Sequence, residues 1–247
     1  MLLKGKVCLI TGTNKGIGQA IATAFAREGA TVYAHSRDSN GIASWADQLA
    51  KKYDTKVIPI YFDLVDFEHA KNQVMHIKSI EGKIDVLVNN AGMVTYEMIP
   101  MVQLDVFKKM WEINVIGTFN LLQIVSRIMG RQKSGSIINM ASIVGEKGAK
   151  GQVSYATTKG AVIAMTKSAA KELAPLNIRV NAIAPGMVGT ERFKGVFEKN
   201  FKEKINTIGM GRLAEPSEIA EVCVFLGSDM STYATGQVLG VDGSIEM

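Results

Sequence analysis

The chain has 247 residues, 47% of them hydrophobic, and carries 28 Lys plus Arg against 23 Asp plus Glu for a formal net charge of +5. Such a length and apolar content can bury one sizeable core, and with no Pro/Gly/Ser-rich linker or charge block the expectation is a single domain over 1–247. No apolar run is long enough to span a bilayer, and no basic run interleaves with aromatics, which excludes membrane-spanning and nucleic-acid-binding classes.

Met1 to Ile10 passes through Lys4 and Lys6 into an apolar segment without a cleavage-site pattern, so a mature, cytoplasmic protein is expected. Cys8 and Cys223 lie in apolar surroundings and read as small buried hydrophobes rather than a disulfide or metal pair. His35, His69 and His76 show no ligand spacing, so no metal is expected.

Lys6 to Thr11 reads as a strand, running into Thr11-Gly12-Thr13-Asn14-Lys15-Gly16-Ile17-Gly18 and then a helix over Gln19 to Arg27. Gly12 permits a tight turn. Gly16 and Gly18 allow backbone amides and the helix start to approach a pyrophosphate, though a plain structural glycine turn reads equally well. The spacing is G-x-x-x-G-x-G, not the common G-x-G-x-x-G fingerprint. The next strand, Thr31 to Ser36, delivers Ser36-Arg37 where an arginine accommodates a ribose 2′-phosphate, and Lys15 adds a second cation; both favour NADP. Asp38 is the competing ribose ligand should the strand end later.

Helices over Gly41 to Lys52 and Phe67 to Ile80 alternate with strands over Lys56 to Tyr61 and Ile84 to Val88. This rhythm predicts an α/β fold: a doubly wound, Rossmann-like parallel sheet of about seven strands with helices on both faces. Ligands of such sheets bind beyond the carboxyl ends of the strands, where Arg37, Asp63-Leu64 and Asn90 fall. Asp63 suits a helix cap or an adenine edge. Asn90 reads as a cofactor residue and Asn89 as a link between strand ends.

A long helix is predicted over Leu104 to Arg131. It contains Asn114, which is either a kinking group or part of a polar network. Strand Ser136 to Met140 delivers Ser142, and a helix from Tyr155 to about Ala174 precedes a strand over Ile178 to Ala184 that ends in Pro185-Gly186. Tyr155 and Lys159 are one helical turn apart, and a nearby ammonium lowers a phenol's pKa toward the range useful for proton transfer. On this pair alone, a packing tyrosine beside a solvated lysine is the stronger reading.

Together Thr11-Gly12-x-x-x-Gly16-x-Gly18, Asn89-Asn90-Ala91-Gly92, Asn114, Ser142, Tyr155-x-x-x-Lys159 and Pro185-Gly186 resemble the short-chain dehydrogenases/reductases over essentially the whole chain. Gly211-Arg212-Leu213, Glu215 to Ala220 and Thr235-Gly236-Gln237 are similar to the 3-oxoacyl-[acyl-carrier-protein] reductase branch. Ser244 departs from that branch, which usually has glycine there. The resemblance implies catalytic roles for Asn114, Ser142, Tyr155 and Lys159: Tyr155 as proton donor, Ser142 as oxyanion partner, Lys159 on the nicotinamide ribose and Asn114 holding a relay water. It also implies NADP(H) contacts at Gly12, Asn14, Lys15, Gly16, Ile17, Gly18, Ser36, Arg37, Asp63 and Leu64. Further contacts would come from Asn90, Ala91, Gly92, Pro185, Gly186, Val188 and Thr190.

Met93, Val94, Ile143 and Met187 are expected to line an apolar substrate pocket. Phe193, Val196, Phe197 and Phe201, interspersed with Lys194, Lys199, Lys202 and Lys204, are read as a lid over it or as an amphipathic helix packed elsewhere. The resemblance further implies a homotetramer with Gly236 to Met247 in an interface, and an acidic carrier protein docked at Lys133 and Lys171. The function expected is NADPH-dependent reduction of a 3-oxoacyl thioester in fatty acid synthesis. The alternatives are another alcohol or ketone (sugar, polyol or steroid) or a dinucleotide sensor without turnover.

Overall fold

The computed structural model describes residues 1–39, 41–191, 193 and 202–246. Seven parallel strands form one sheet in the order β3-β2-β1-β4-β5-β6-β7. They are β1 (Val7–Thr11), β2 (Thr31–Ser36), β3 (Val57–Tyr61), β4 (Val86–Asn89), β5 (Gly135–Met140), β6 (Ile178–Pro185) and β7 (Val238–Val241). The chain winds outward from β1 to β3 and then returns to place β4 on the other side of β1. The topological switch therefore lies between β1 and β4, where a doubly wound sheet opens a crevice at its carboxyl edge.

The continuous apolar character of the strands follows from burial on both faces. On β1, Cys8 and Ile10 point into one layer with α1 (Gly16–Arg27), α2 (Ala43–Tyr53) and α8 (Pro216–Gly227). Val7 and Leu9 point into the other, with α3 (Phe67–Glu81), α5 (Gly117–Gln132) and α7 (Val153–Leu173). Phe25 of α1 is fully buried in the first layer, and an added Cβ on Gly227 of α8 would stand 3.4 Å from its ring. Asp66 caps α3 by accepting a hydrogen bond from the His69 backbone N–H at 3.0 Å.

Several boundaries differ from the sequence-based expectation. α1 begins at Gly16, inside the glycine turn and ahead of the expected start at Gln19, with Gly16 itself entering the helix at a left-handed φ of +61°. The single helix expected over 104–131 is instead α4 (Leu104–Trp111), a π-helical turn over Glu112–Ile116 and α5. A π turn adds a residue without changing apolar periodicity enough to be read, and such turns gather at functional sites. The short helix α6 (Ile143–Lys147) lay below the length that periodicity detects. Ser244 sits at φ +60°, in the left-handed region where glycine is favoured, which gives a physical reason for the glycine usual there. No described helix is long and apolar enough to cross a membrane.

Phe25→Ala is expected to cost about 3–5 kcal/mol, the usual loss for emptying a sealed aromatic site. It would be read as a lowered midpoint in urea denaturation.

Candidate functional site

β5 ends at Met140, and Ser142 then N-caps α6, its Oγ accepting from the Val144 N–H at 3.3 Å. α7 starts at Val153, which puts Tyr155 in its first turn and Lys159 one turn on. The two helices meet without a gap: a Cβ on Gly145 would stand 2.8 Å from Lys159 backbone and Cβ atoms. This contact seals Lys159, which is 4% exposed and donates from Nζ to the Met140 carbonyl at 2.6 Å. The same ammonium lies 5.7 Å from the centre of the Tyr155 ring. Burial lowers the Lys159 pKa from 10.5 to about 8, so the side chain stays mostly charged at neutral pH beside the Tyr155 ring.

Asn114, within the π turn, accepts from the Met93 N–H at 2.7 Å through Oδ1. Its Nδ2 donates to the Met93 carbonyl at 2.8 Å and to Thr158 Oγ1 at 3.0 Å. It therefore fastens the loop after β4 to the start of α7. For water it keeps one Oδ1 lone pair and its main-chain carbonyl, which already accepts from Thr118 Oγ1 at 2.8 Å. Gly92 makes this approach possible, since a Cβ there would meet Asn114 Oδ1 at 3.2 Å and Lys159 Nζ at 3.6 Å.

Beyond β1 the glycine turn is latched from β4. Thr11 Oγ1 accepts from the N–H groups of Asn90 and Ala91, each at 2.9 Å. Asn90 Nδ2 donates to the carbonyls of Thr11 at 2.8 Å and Gly12 at 3.2 Å. The Asn90 amide group thus serves the turn, although the residue also lines the central cavity. Gly12 and Gly16 have φ of +70° and +61°, and a Cβ on Gly18 would lie 2.1 Å from the Gly12 carbonyl oxygen. Lys15 N-caps α1 without a side-chain hydrogen bond, so the first-turn N–H groups are left to be met from outside the helix, the arrangement that receives a pyrophosphate. A dinucleotide fits this cradle.

Ser36 is buried at the end of β2 and Arg37 stands outside it, its side chain 68% exposed and 4.0 Å from Asp38. Asp63 is exposed beyond β3, its Oδ1 accepting from Val65 N–H at 3.0 Å, while Leu64 is buried against Gly117. Asn14 and Lys15 are exposed on the turn itself.

A cavity of about 420 Å³ opens where these groups converge. Ser142, Tyr155 and Lys159 line it, with Ile17, Asn90, Gly92, Pro185, Gly186, Val188 and Thr190 toward the glycine turn. The sequence-predicted substrate residues Met93, Val94, Ile143 and Met187 also face it. Gly12, Gly18, Ser36, Arg37, Asp63, Leu64 and Ala91 lie outside the cavity along the same edge of the sheet. Of the lid stripe, Phe193 lines the cavity; Lys194, Val196, Phe197, Lys199 and Phe201 lie outside the described residues, as do the side chains of Lys202 and Lys204.

Sequence reasoning missed Tyr96, Val144, Gln152, Ile245 and Glu246, all in the cavity wall. Ile245 and Glu246 arrive there because the chain end folds back: Ile208 and Ile245 form an antiparallel bridge, and Lys147 Nζ donates to the Ile245 carbonyl at 3.2 Å. No local pattern announces such a long-range pairing. Lys133 and Lys171 do not flank the cavity in this chain. Lys133 follows α5 just before β5 begins, and Lys171 lies near the far end of α7, about 24 Å along the helix from Tyr155. Both belong to the amino edge of the sheet. Spacing along the sequence carries no information on which end of a helix faces the site.

Comparison with known proteins places this architecture. The family described as Enoyl-(Acyl carrier protein) reductase matches residues 12–245. The 3-oxoacyl-[acyl-carrier-protein] reductase of Thermotoga maritima is 42% identical over 245 residues, covering 99% of both chains. The 3α-hydroxysteroid dehydrogenase of Mediterraneibacter gnavus is 38% identical, covering 99% of this chain and 98% of its own. The crystal structure of a 3-oxoacyl-[acyl-carrier protein] reductase from Brucella melitensis superposes with a TM-score of 0.94 at 32% identity, covering 100% of this chain and 93% of that one.

The buried ammonium has a measurable linkage. Because the folded-state pKa of Lys159 is lowered to about 8 from 10.5, the unfolded chain binds more protons between those values, and this group makes stability rise with pH across that window. Denaturation of wild type and Lys159→Met from pH 7.5 to 10 is expected to show that rise in the wild type relative to the variant. Parallel curves would place the ammonium in solvent.

Proposed function

The chain belongs to the short-chain dehydrogenase/reductase family of oxidoreductases acting on carbonyl and hydroxyl groups, and on that premise we propose that it is an NADPH-dependent ketoreductase converting 3-oxoacyl-[acyl-carrier-protein] to the 3-hydroxyacyl form. The observation that carries this reading is the pairing of Ser142 and Tyr155 on the wall of a largely apolar cavity, with buried Lys159 behind the tyrosine. Two hydroxyls there can serve one carbonyl oxygen.

Pro185 and Gly186 in the cavity wall would help hold a nicotinamide, which would supply hydride to the carbonyl carbon when bound. Tyr155 gives its proton to the carbonyl oxygen, and Ser142 donates a hydrogen bond to the same oxygen as negative charge develops. Lys159 stabilises the phenolate left behind. Asn114 holds the Met93 loop and the start of α7 in register beside Lys159.

Arg37 supports NADPH over NADH, being free of strand β2 and able to reach a 2′-phosphate, while Asp38 beside it limits the preference. Met93, Val94, Ile143 and Met187 suit an acyl chain, as the whole-length similarity to the Thermotoga enzyme suggests. The same apolar lining and the similarity to the Mediterraneibacter enzyme favour a 3-oxosteroid as the second reading.

NADPH oxidation with acetoacetyl-coenzyme A is the direct test. Turnover is expected with NADPH well above NADH, Tyr155→Phe should lower kcat by at least roughly 10²-fold, and Arg37→Ala should raise KM for NADPH more than for NADH. Turnover of a 3-oxosteroid with none of the thioester would select the second reading.

A further inference from the structure

We propose that His35 is a positioning residue for the dinucleotide, a single buried ring that sets the spacing of the three strand ends on which the cofactor rests. The inference depends on the dinucleotide reading above and extends it to a side chain with no catalytic part.

His35 lies on β2 opposite Thr11 of β1 on one side and Ile60 of β3 on the other. It is 2% exposed, and its ring packs against Phe62 with centroids 4.1 Å apart and the planes tilted by 46°. Nε2 is 2.9 Å from the Phe62 carbonyl, and a carbonyl only accepts, so Nε2 carries the proton. Nδ1 then presents its lone pair, and it accepts from the Gly12 N–H at 3.4 Å. The His35 carbonyl takes the Thr13 N–H at 3.0 Å and Thr13 Oγ1 at 3.1 Å. One residue therefore ties the turn after β1 to the end of β3, while its own strand delivers Arg37 two positions on.

These are the three places the cofactor reading uses: the glycine turn for the pyrophosphate, Arg37 for the ribose phosphate, and Asp63, next to Phe62, for the adenine side. Engaging the Gly12 and Thr13 amides also removes them from the anion cradle, which leaves the pyrophosphate to the amides at the start of α1. Burial holds the imidazole near a pKa of about 4, with Asp63 opposing the shift, so the neutral tautomer that accepts from Gly12 persists at working pH.

The test separates the two ring nitrogens. In His35→Asn the amide oxygen takes roughly the place of Nδ1 and can accept from Gly12. In His35→Gln the terminal amide reaches the place of Nε2 and can serve Phe62. His35→Phe supplies neither. NADPH affinity by fluorescence titration, kcat, KM and urea midpoints would be measured for all four proteins. The expected result is a Kd for NADPH raised roughly tenfold in His35→Phe and by a smaller, roughly threefold factor in each of His35→Asn and His35→Gln, which keep one link apiece, with kcat at saturating NADPH within about twofold throughout. Wild-type affinity in both His35→Gln and His35→Asn would overturn the proposal, as would an affinity loss that follows the urea midpoints alone or a fall in kcat without a change in KM. Failure of the wild type itself to bind NADPH would instead overturn the dinucleotide reading and this inference with it.

Discussion

The carboxyl edge of the sheet depends on one latch at the topological switch, the reciprocal hydrogen bonding of Thr11 with Asn90 and Ala91. A parallel sheet presents its strand ends as loops, and loops carry unpaired backbone groups that must find partners. Here β1 and β4 satisfy each other's. The Thr11 hydroxyl takes two N–H groups, and the Asn90 amide returns two hydrogen bonds to carbonyls of the turn. With the latch closed, Gly18 lies so near the Gly12 carbonyl that no side chain fits, and the start of α1 is fixed relative to β4. The cavity is then framed by elements that cannot shift independently, a requirement for proton transfer over hydrogen-bond distances.

The second constraint is electrostatic. Placing an ammonium at 4% exposure is costly, and the Met140 carbonyl offsets only part of that cost. A chain selected for stability alone would put an apolar residue at Lys159. The charge is instead held in a low-dielectric position near Tyr155, where its effect on the phenol is larger than it would be in water. Gly145 and Gly92, which admit α6 and the β4 loop to close contact, are the structural conditions for that burial.

The fold was legible in the sequence because strand and helix periodicities alternate and because each strand end carries a punctuating residue. β2 ends at Ser36 as read, and the continuous apolar run of β1 matches its burial on both faces. The groups at the catalytic corner were legible because strand ends and one helical turn bring them together: Ser142, Tyr155 and Lys159 line one cavity. What local patterns could not convey is direction and return. The far-edge location of Lys133 and Lys171 follows from which way α5 and α7 run, and the presence of Ile245 and Glu246 in the wall follows from a strand pairing with residues far earlier in the chain. The π turn at Asn114 was hidden because one added residue leaves the apolar stripe nearly intact. His35 gave no motif signal, since its partners come from the ends of two other strands, β1 and β3.

The distribution of polar groups also explains why chemistry is easier to read here than substrate. At the corner of Ser142 and Tyr155 the cavity presents two hydroxyls, and a site built to hydrogen-bond a particular oxygen discriminates strongly. Elsewhere the wall is mainly apolar, with Met93, Val94, Ile143, Met187 and Ile245 beside the polar Gln152 and Glu246, and an apolar contact distinguishes substrates by only about 1–3 kcal/mol per methylene. Methionines adapt their shape, which weakens that selection further. Relatives named for an acyl thioester and for a steroid are accordingly compatible with one catalytic corner. The wall segments that differ most in how they are held are those reached by long-range pairing, above all the returning chain end clamped by Lys147 to the helix that Ser142 caps. A change in that end alters the shape of the cavity and, through α6, bears on the position of Ser142. The shape of the apolar wall and the placement of the Ser142 hydroxyl are thus mechanically joined in this chain.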